Sequence, residues 1–139
     1  MEKLTKYTEM FRLNEKTGLE IEEATPEMAT KDVVRSSIGQ SDANYTTSQL
    51  ARYVTTIASR GTSYDLTLFD KVTDADGNVL EDYSPEVKGD MDVADSTWTT
   101  VQEGMRGVAT RNATLSSLDV AVAGKTGTAQ EDYSRPSHG

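Results

Sequence analysis

Apolar positions along this chain fall into two clear helical periods, one weaker one and one alternating run. Between Thr47 and Arg60, Leu50, Val54, Ile57 and Ala58 share one helical face. Thr46, three residues ahead of Gln49, supplies a capping box, and Gly61 stands where a left-handed residue ends a helix. Trp98, Val101, Met105 and Val108 recur at steps of three and four, with Asp95 or Ser96 as the cap. Gly104 and Gly107 each weaken that helix by about 1 kcal/mol relative to Ala, so close packing against a neighbour is their expected reason. Leu4, Tyr7 and Phe11 predict a short helix over 2–12, ended by Asn14 to Gly18. The run from Tyr64 to Val72 alternates, and Asp76-Gly77-Asn78 turns the chain into Val79-Leu80, which predicts a β-hairpin. Leu118 to Ala123 reads as a strand entering Gly124 to Gln130. The stretches 19–31, with Pro26, and 81–95, with Pro85 and Gly89, have no period and read as loops.

Composition narrows what these elements can do. The chain has 139 residues, enough for one domain, yet only 35% are hydrophobic. A thin core follows, and some apolar faces are expected to need partners outside the chain. The net charge of −9 is broken by no run of Lys or Arg, which excludes nucleic acid as a partner. With no cysteine there is neither a disulfide framework nor a thiolate metal site. No apolar run approaches the roughly 18 residues of a membrane span, and the N-terminus lacks the apolar centre of a signal peptide. This segment itself is expected to make no membrane contact.

The stretch that carries chemistry is Gly124-Lys125-Thr126-Gly127-Thr128-Ala129-Gln130. Gly-Lys-Thr also ends a phosphate-binding P-loop, but that motif needs a glycine where Asp119 stands, and an aspartate there repels phosphate. On a strand, Lys125 and Gly127 face one side while Thr126 and Thr128 face the other. One side then offers a cation beside bare backbone, and a free sheet edge could pair with an extended peptide. For three residues alone, an exposed strand end is the more economical explanation, by about ten to one. Other sharp readings yield to plainer ones. Asp74-x-Asp76-x-Asn78 has Val79 where a calcium loop needs glycine, so it is a hairpin turn. Trp98 is a packing residue rather than a sugar platform, and His138 is a tail residue.

Flanking residues change the odds for 125–127. Lys-Thr-Gly is the third element of the set found in penicillin-binding proteins, beside Ser-x-x-Lys and Ser-x-Asn. Val122 to Gln130 resembles its form in class B penicillin-binding proteins, the monofunctional transpeptidases. Phe11 followed by Thr17-Gly18 and Leu19-Glu-Ile21, Ser37-Ile-Gly-Gln40, the 46–61 helix, and Trp98-x-x-Val101-x-x-x-Met105-x-x-Val108 resemble further family segments in order and spacing. The resemblance extends from about residue 4 to 130, with Ser41 where the family has glycine.

This resemblance implies an α+β fold, a partial penicillin-binding transpeptidase domain of helices, a hairpin and the Lys-Thr-Gly strand. The whole 1–139 chain is then one incomplete domain, the C-terminal part of the full one, with 131–139 a frayed tail and two further strands expected beyond it. The parent is expected to cross-link peptidoglycan stem peptides by serine acyl transfer at the extracytoplasmic face of a bacterial membrane. Its implied partners are the stem peptide, β-lactams and the remainder of the domain, with no metal or organic cofactor. For a bacterial protein the Asn44 and Asn112 glycosylation patterns carry no meaning. Lys125 and Thr128 carry over as catalytic positions, the latter through its backbone N–H in the oxyanion hole. Lys125, Thr126, Gly127 and Thr128 carry over as the substrate wall. No serine in the sequence has Lys three residues on or Asn two residues on. The isolated chain is therefore expected to be inactive, and two alternatives stay open: a non-catalytic peptide-binding module, and a structural half that is partly unfolded alone.

Overall fold

In the computed structural model, residues 1–127 are described; Thr128 and the expected tail 131–139 lie outside them. Helix α1 (Glu2–Met10) leads through a loop to the five-residue α2 (Val33–Ser37) and then to α3 (Thr47–Ala58). Four short strands follow, β1 (Thr62–Tyr64), β2 (Lys71–Thr73), β3 (Val79–Asp82) and β4 (Val87–Asp90). The described chain closes with α4 (Asp95–Arg111) and α5 (Ala113–Ser116). The strands form two antiparallel ribbons, β1 with β4 and β2 with β3.

The capping box at α3 forms as expected. Thr46 accepts from the Gln49 N–H at 3.2 Å while the Gln49 side chain accepts from the Thr46 N–H at 2.8 Å. The hairpin turn is equally legible: the Asp74 carboxylate accepts from the N–H groups of Asp76 (3.0 Å) and Asn78 (2.8 Å), and Gly77 takes the positive φ of 88°. That carboxylate is spent on the turn. The hairpin's first strand starts only at Lys71, however, because 65–70 is tied instead to the loop after α1, through Leu66 N–H to Thr17 O (2.9 Å) and Leu68 N–H to Glu20 (2.9 Å).

Other expectations need correction. Residues 81–95 are not simply a connection, since β3 runs to Asp82 and β4 pairs with β1 through Thr62–Asp90 and Ser63–Gly89. The left-handed residue after α3 is Arg60 (φ 59°), with Gly61 at φ 115° beyond it. Helix α4 begins at Asp95 behind Ala94, with no side-chain cap. A Cβ at Gly104 would meet nothing within 4 Å, so no neighbour among the described residues explains that glycine.

The largest correction concerns which face of α3 points inward. Leu50 and Val54 are 45% and 49% exposed, whereas Gln49 and Arg52 are each 1% exposed and Thr56 is fully buried. Of the expected face Ile57 is buried in the apolar core, but the side bearing Gln49, Arg52 and Thr56 is polar because it receives the carbonyls of the loop after α1. The Arg52 guanidinium donates to the carbonyls of Lys16 (2.9 Å), Glu15 (3.1 Å) and Arg12, and the Gln49 amide donates to Glu15 O at 2.8 Å. Buried carbonyls need donors, and these two side chains supply them. Burial, and then the nearby Arg12 cation, pull the Arg52 pKa below its ordinary value.

Thr17-Gly18 finishes the same loop. The Glu23 carboxylate accepts from the Thr17 hydroxyl (2.5 Å), from the N–H groups of Thr17 and Gly18 (both 3.0 Å), and from Ser48 on α3 (3.2 Å). Gly18 has φ 92°, and a Cβ there would meet the Asp65 side chain at 3.2 Å, so both geometry and space require glycine. Burial works to raise the Glu23 pKa, but the bonds from Thr17, Gly18 and Ser48 outweigh it and hold the group below its ordinary value of 4.5. A carboxylate depressed in the folded state adds stability above its unfolded pKa and loses it as pH falls through the folded one. Denaturation midpoints measured from pH 7 downward should therefore drop below about pH 4.3. The drop should be shallower in a Glu23→Gln variant; identical pH profiles would show that the latch contributes nothing.

The apolar core is small: Ile57, Met91 and Trp98, with Met10, Phe11, Tyr53, Val93 and Met105 packed against it. Phe11 sets its edge against Tyr53 (centroids 4.7 Å apart) and Trp98 (6.3 Å). Gln102 joins α4 to α3 by donating to the free carbonyls of Ile57 (2.9 Å) and Ala58 (3.2 Å). The chain exposes 10207 Å², where a compact chain of its mass exposes roughly 7,100 Å². Val34, Ile38, Leu50, Val54 and Val120 are among the large apolar side chains left uncovered. The thin core expected from composition is what the structure shows.

Candidate active-site segment

The segment before Lys125 is positioned by α4. Arg106 donates to the Val122 carbonyl at 2.7 Å, and the Gly124 N–H donates to Met105 O at 3.0 Å. Between them, Asn112 turns the chain off the end of α4 and caps α5 by accepting from the Leu115 N–H at 3.0 Å. The expected strand over 118–127 is not formed: Leu118 to Val120 bend, and residues 121–127 are neither helical nor paired with a strand among the described residues. A ladder needs a neighbour, and β1 to β4 are paired among themselves elsewhere. The bonds of Val122 and Gly124 to α4 hold the segment instead.

Lys125, Thr126 and Gly127 are all exposed. Among the described residues the Lys125 ammonium donates to its neighbour's carbonyl, Thr126 O (2.5 Å), and meets no carboxylate. A Cβ on Gly127 would touch nothing within 4 Å, so the backbone there is open to an incoming group. Thr128, the fourth expected site residue, lies outside the described residues.

A cavity of about 400 Å³ opens beside this segment, walled by Gly124, Lys125 and Thr126, by Val108 and Arg111 of α4, and by Leu115 of α5. Sequence reading placed Val108 in the core and passed over Arg111. The available signal was a cation at a helix end, fourteen residues ahead of the lysine of a Lys-Thr-Gly run. The Ser37-Ile-Gly-Gln40 loop projects separately: Ser37 Oγ donates to Val34 O at 2.7 Å, Gly39 takes φ 76°, and Ile38 is exposed. No helix among the described residues is long and apolar enough to cross a membrane.

Helices around short antiparallel ribbons, with an exposed Lys-Thr-Gly run beside a cavity, agree with a comparison against protein families. Residues 1–138 match the penicillin binding protein transpeptidase domain, and the chain belongs to that family, as part of the transpeptidase domain of a class B penicillin-binding protein. It is 36% identical to penicillin-binding protein 2A of Bacillus subtilis (strain 168) over 94% of its length, and 28% identical to penicillin-binding protein H of the same organism, also over 94%. It spans 20% of the length of each of these relatives. Among solved structures, penicillin-binding protein 2B of Streptococcus pneumoniae strain R6 aligns with TM-score 0.75 and 25% identity over 91% of this chain and 23% of that one. The strain 5204 form shares the fold, with TM-score 0.75 at 22% identity over 91% of this chain and 24% of that one. A chain from a peptidoglycan synthase complex that coordinates polymerization and crosslinking aligns with TM-score 0.69 and 27% identity, covering 94% of this chain and 23% of that one.

Proposed function

We propose that this chain contributes the Lys-Thr-Gly wall of a D,D-transpeptidase active site, at the extracytoplasmic face of a bacterial membrane. The complete domain would cross-link peptidoglycan stem peptides. A serine oxygen attacks the carbonyl between two terminal D-alanines, the terminal D-alanine leaves with the C–N electron pair and a proton, and an amine of a second strand then takes the acyl group from the serine. Penicillin enters the first half of that scheme as a mimic. In this reading Lys125 and Thr126 receive the substrate carboxylate, Gly127 admits its backbone, and the Thr128 N–H stabilises the oxyanion.

The observation that carries the reading is an exposed Lys125, without an ion pair among the described residues, followed by an open Gly127, within a chain matched to the family from residue 1 to 138. The chain itself has neither Ser-x-x-Lys nor Ser-x-Asn, so it lacks a nucleophile with its base. Incubation with a labelled penicillin, followed by denaturing electrophoresis, is expected to leave the polypeptide unlabelled. A covalent adduct on this chain would refute that part of the proposal.

A further inference from the structure

The cavity beside Lys125 holds a second cation that the Lys-Thr-Gly element does not account for. Arg111 closes the last turn of α4, and its Nε–H donates to the Gly107 carbonyl at 2.9 Å. That bond fixes the base of the guanidinium to the helix end. Among the described residues the two terminal nitrogens have no hydrogen-bond acceptor, which leaves them for another group. Among the described residues neither Arg111 nor Lys125 forms an ion pair. In a chain of net charge −9, two unneutralised cations on one cavity are out of keeping with the rest of the surface.

The remaining walls say what kind of anion fits. Val108 and Leu115 are apolar, and Asn112, also on the rim, has spent its oxygen on the α5 cap, which leaves its N–H₂ as a donor. An inorganic anion gains nothing from Val108 and Leu115. A peptide acid gains from all of them, because a planar guanidinium forks onto a carboxylate and the adjoining side chain covers the apolar wall. About 400 Å³ suits a dipeptide-sized group. Helix-end electrostatics explain a cation at position 111 but not its sharing a cavity with Lys125.

We propose that Arg111 is a specificity-determining residue of this site, gripping the carboxylate of a short peptide acid together with Lys125 while Val108 and Leu115 receive the neighbouring apolar side chain. The proposal rests on 125–127 being a substrate wall. Titration calorimetry of the whole chain with N-acetyl-D-alanyl-D-alanine, its C-terminal amide and inorganic phosphate tests it. The acid should bind, and the amide and phosphate should bind at least about tenfold more weakly, the scale of one charge-assisted hydrogen bond. Arg111→Gln should weaken acid binding about tenfold, and Arg111→Lys should recover only part, with circular dichroism unchanged in both because the side chain is exposed. Unchanged affinity in Arg111→Gln, with loss in Lys125→Gln, overturns the role of Arg111 and keeps the substrate wall. The reverse pattern keeps Arg111 and removes the Lys-Thr-Gly reading. Equal binding of phosphate, equal binding of the amide, or no binding at millimolar peptide overturns the proposal, while the penicillin experiment judges the wider reading separately.

Discussion

Substituting Arg52 by methionine should destabilise the chain by about 3 kcal/mol, the scale of removing a buried charged donor from its acceptors. Methionine fills much of the volume but leaves the carbonyls of Arg12, Glu15 and Lys16 without the donors they now share. The 12–16 loop then keeps only Gln49 as a direct donor from α3, with the Glu23–Ser48 latch and the Phe11–Tyr53 contact at its two ends. Arg52→Lys should restore less than half of the loss, because an ammonium on a single stem cannot span three carbonyls reached by two separate guanidinium nitrogens. Urea denaturation followed by far-ultraviolet circular dichroism measures both. A loss under 1 kcal/mol for the methionine variant would mean that the loop is held by other contacts.

Trp98→Ala is the other change with a large expected effect, about 3–5 kcal/mol. Among the described residues Trp98 is the largest member of a central cluster of three buried apolar side chains, and Phe11 and Gly61 are both fitted to its ring. A Cβ at Gly61 would come within 3.1 Å of Trp98 Cζ2 and of the Met91 carbonyl, so the ring lies directly on the backbone that follows α3. Removing it takes the largest apolar contact from between α4 and α3 and leaves mainly the polar links of Gln102 to Ile57 and Ala58 and of Arg60 to Asp95 and Thr99. Trp98→Phe should keep much of the packing. Loss of a cooperative transition in the alanine variant, and its retention in the phenylalanine variant, is the expected pair of results; near-native midpoints for both would place the centre of the core elsewhere.

What the sequence disclosed was mostly local. Thr46 with Gln49 marked the start of α3, Asp74 to Asn78 marked the turn, and Trp98 with Met105 marked α4, because each signal involves residues within a few positions of one another. Strand β4 escaped notice since Val-Lys-Gly-Asp has no usable alternation and its partner lies some 25 residues back, at β1. The inward side of α3 was misjudged for a different reason. Hydrophobic period reports where apolar side chains point, whereas α3 is docked by side-chain donors onto main-chain carbonyls of an aperiodic loop, which no pattern of side-chain types encodes. At the candidate site, Lys125 to Gly127 were visible as a motif. Their conformation was not, because a strand is a property of its neighbour as much as of itself. Arg111 was invisible because its importance arises only when the chain returns to α4 eleven residues later, at Val122.

The two stripes of α3 have different destinations. Its hydrophilic stripe reaches residues 12–16 through the Gln49 amide and the two terminal nitrogens of Arg52, while Leu50 and Val54 stay exposed on the other side. The greasy stripe is thus aimed by a bond network in which it takes no part, so a surface that met it would find the helix already oriented.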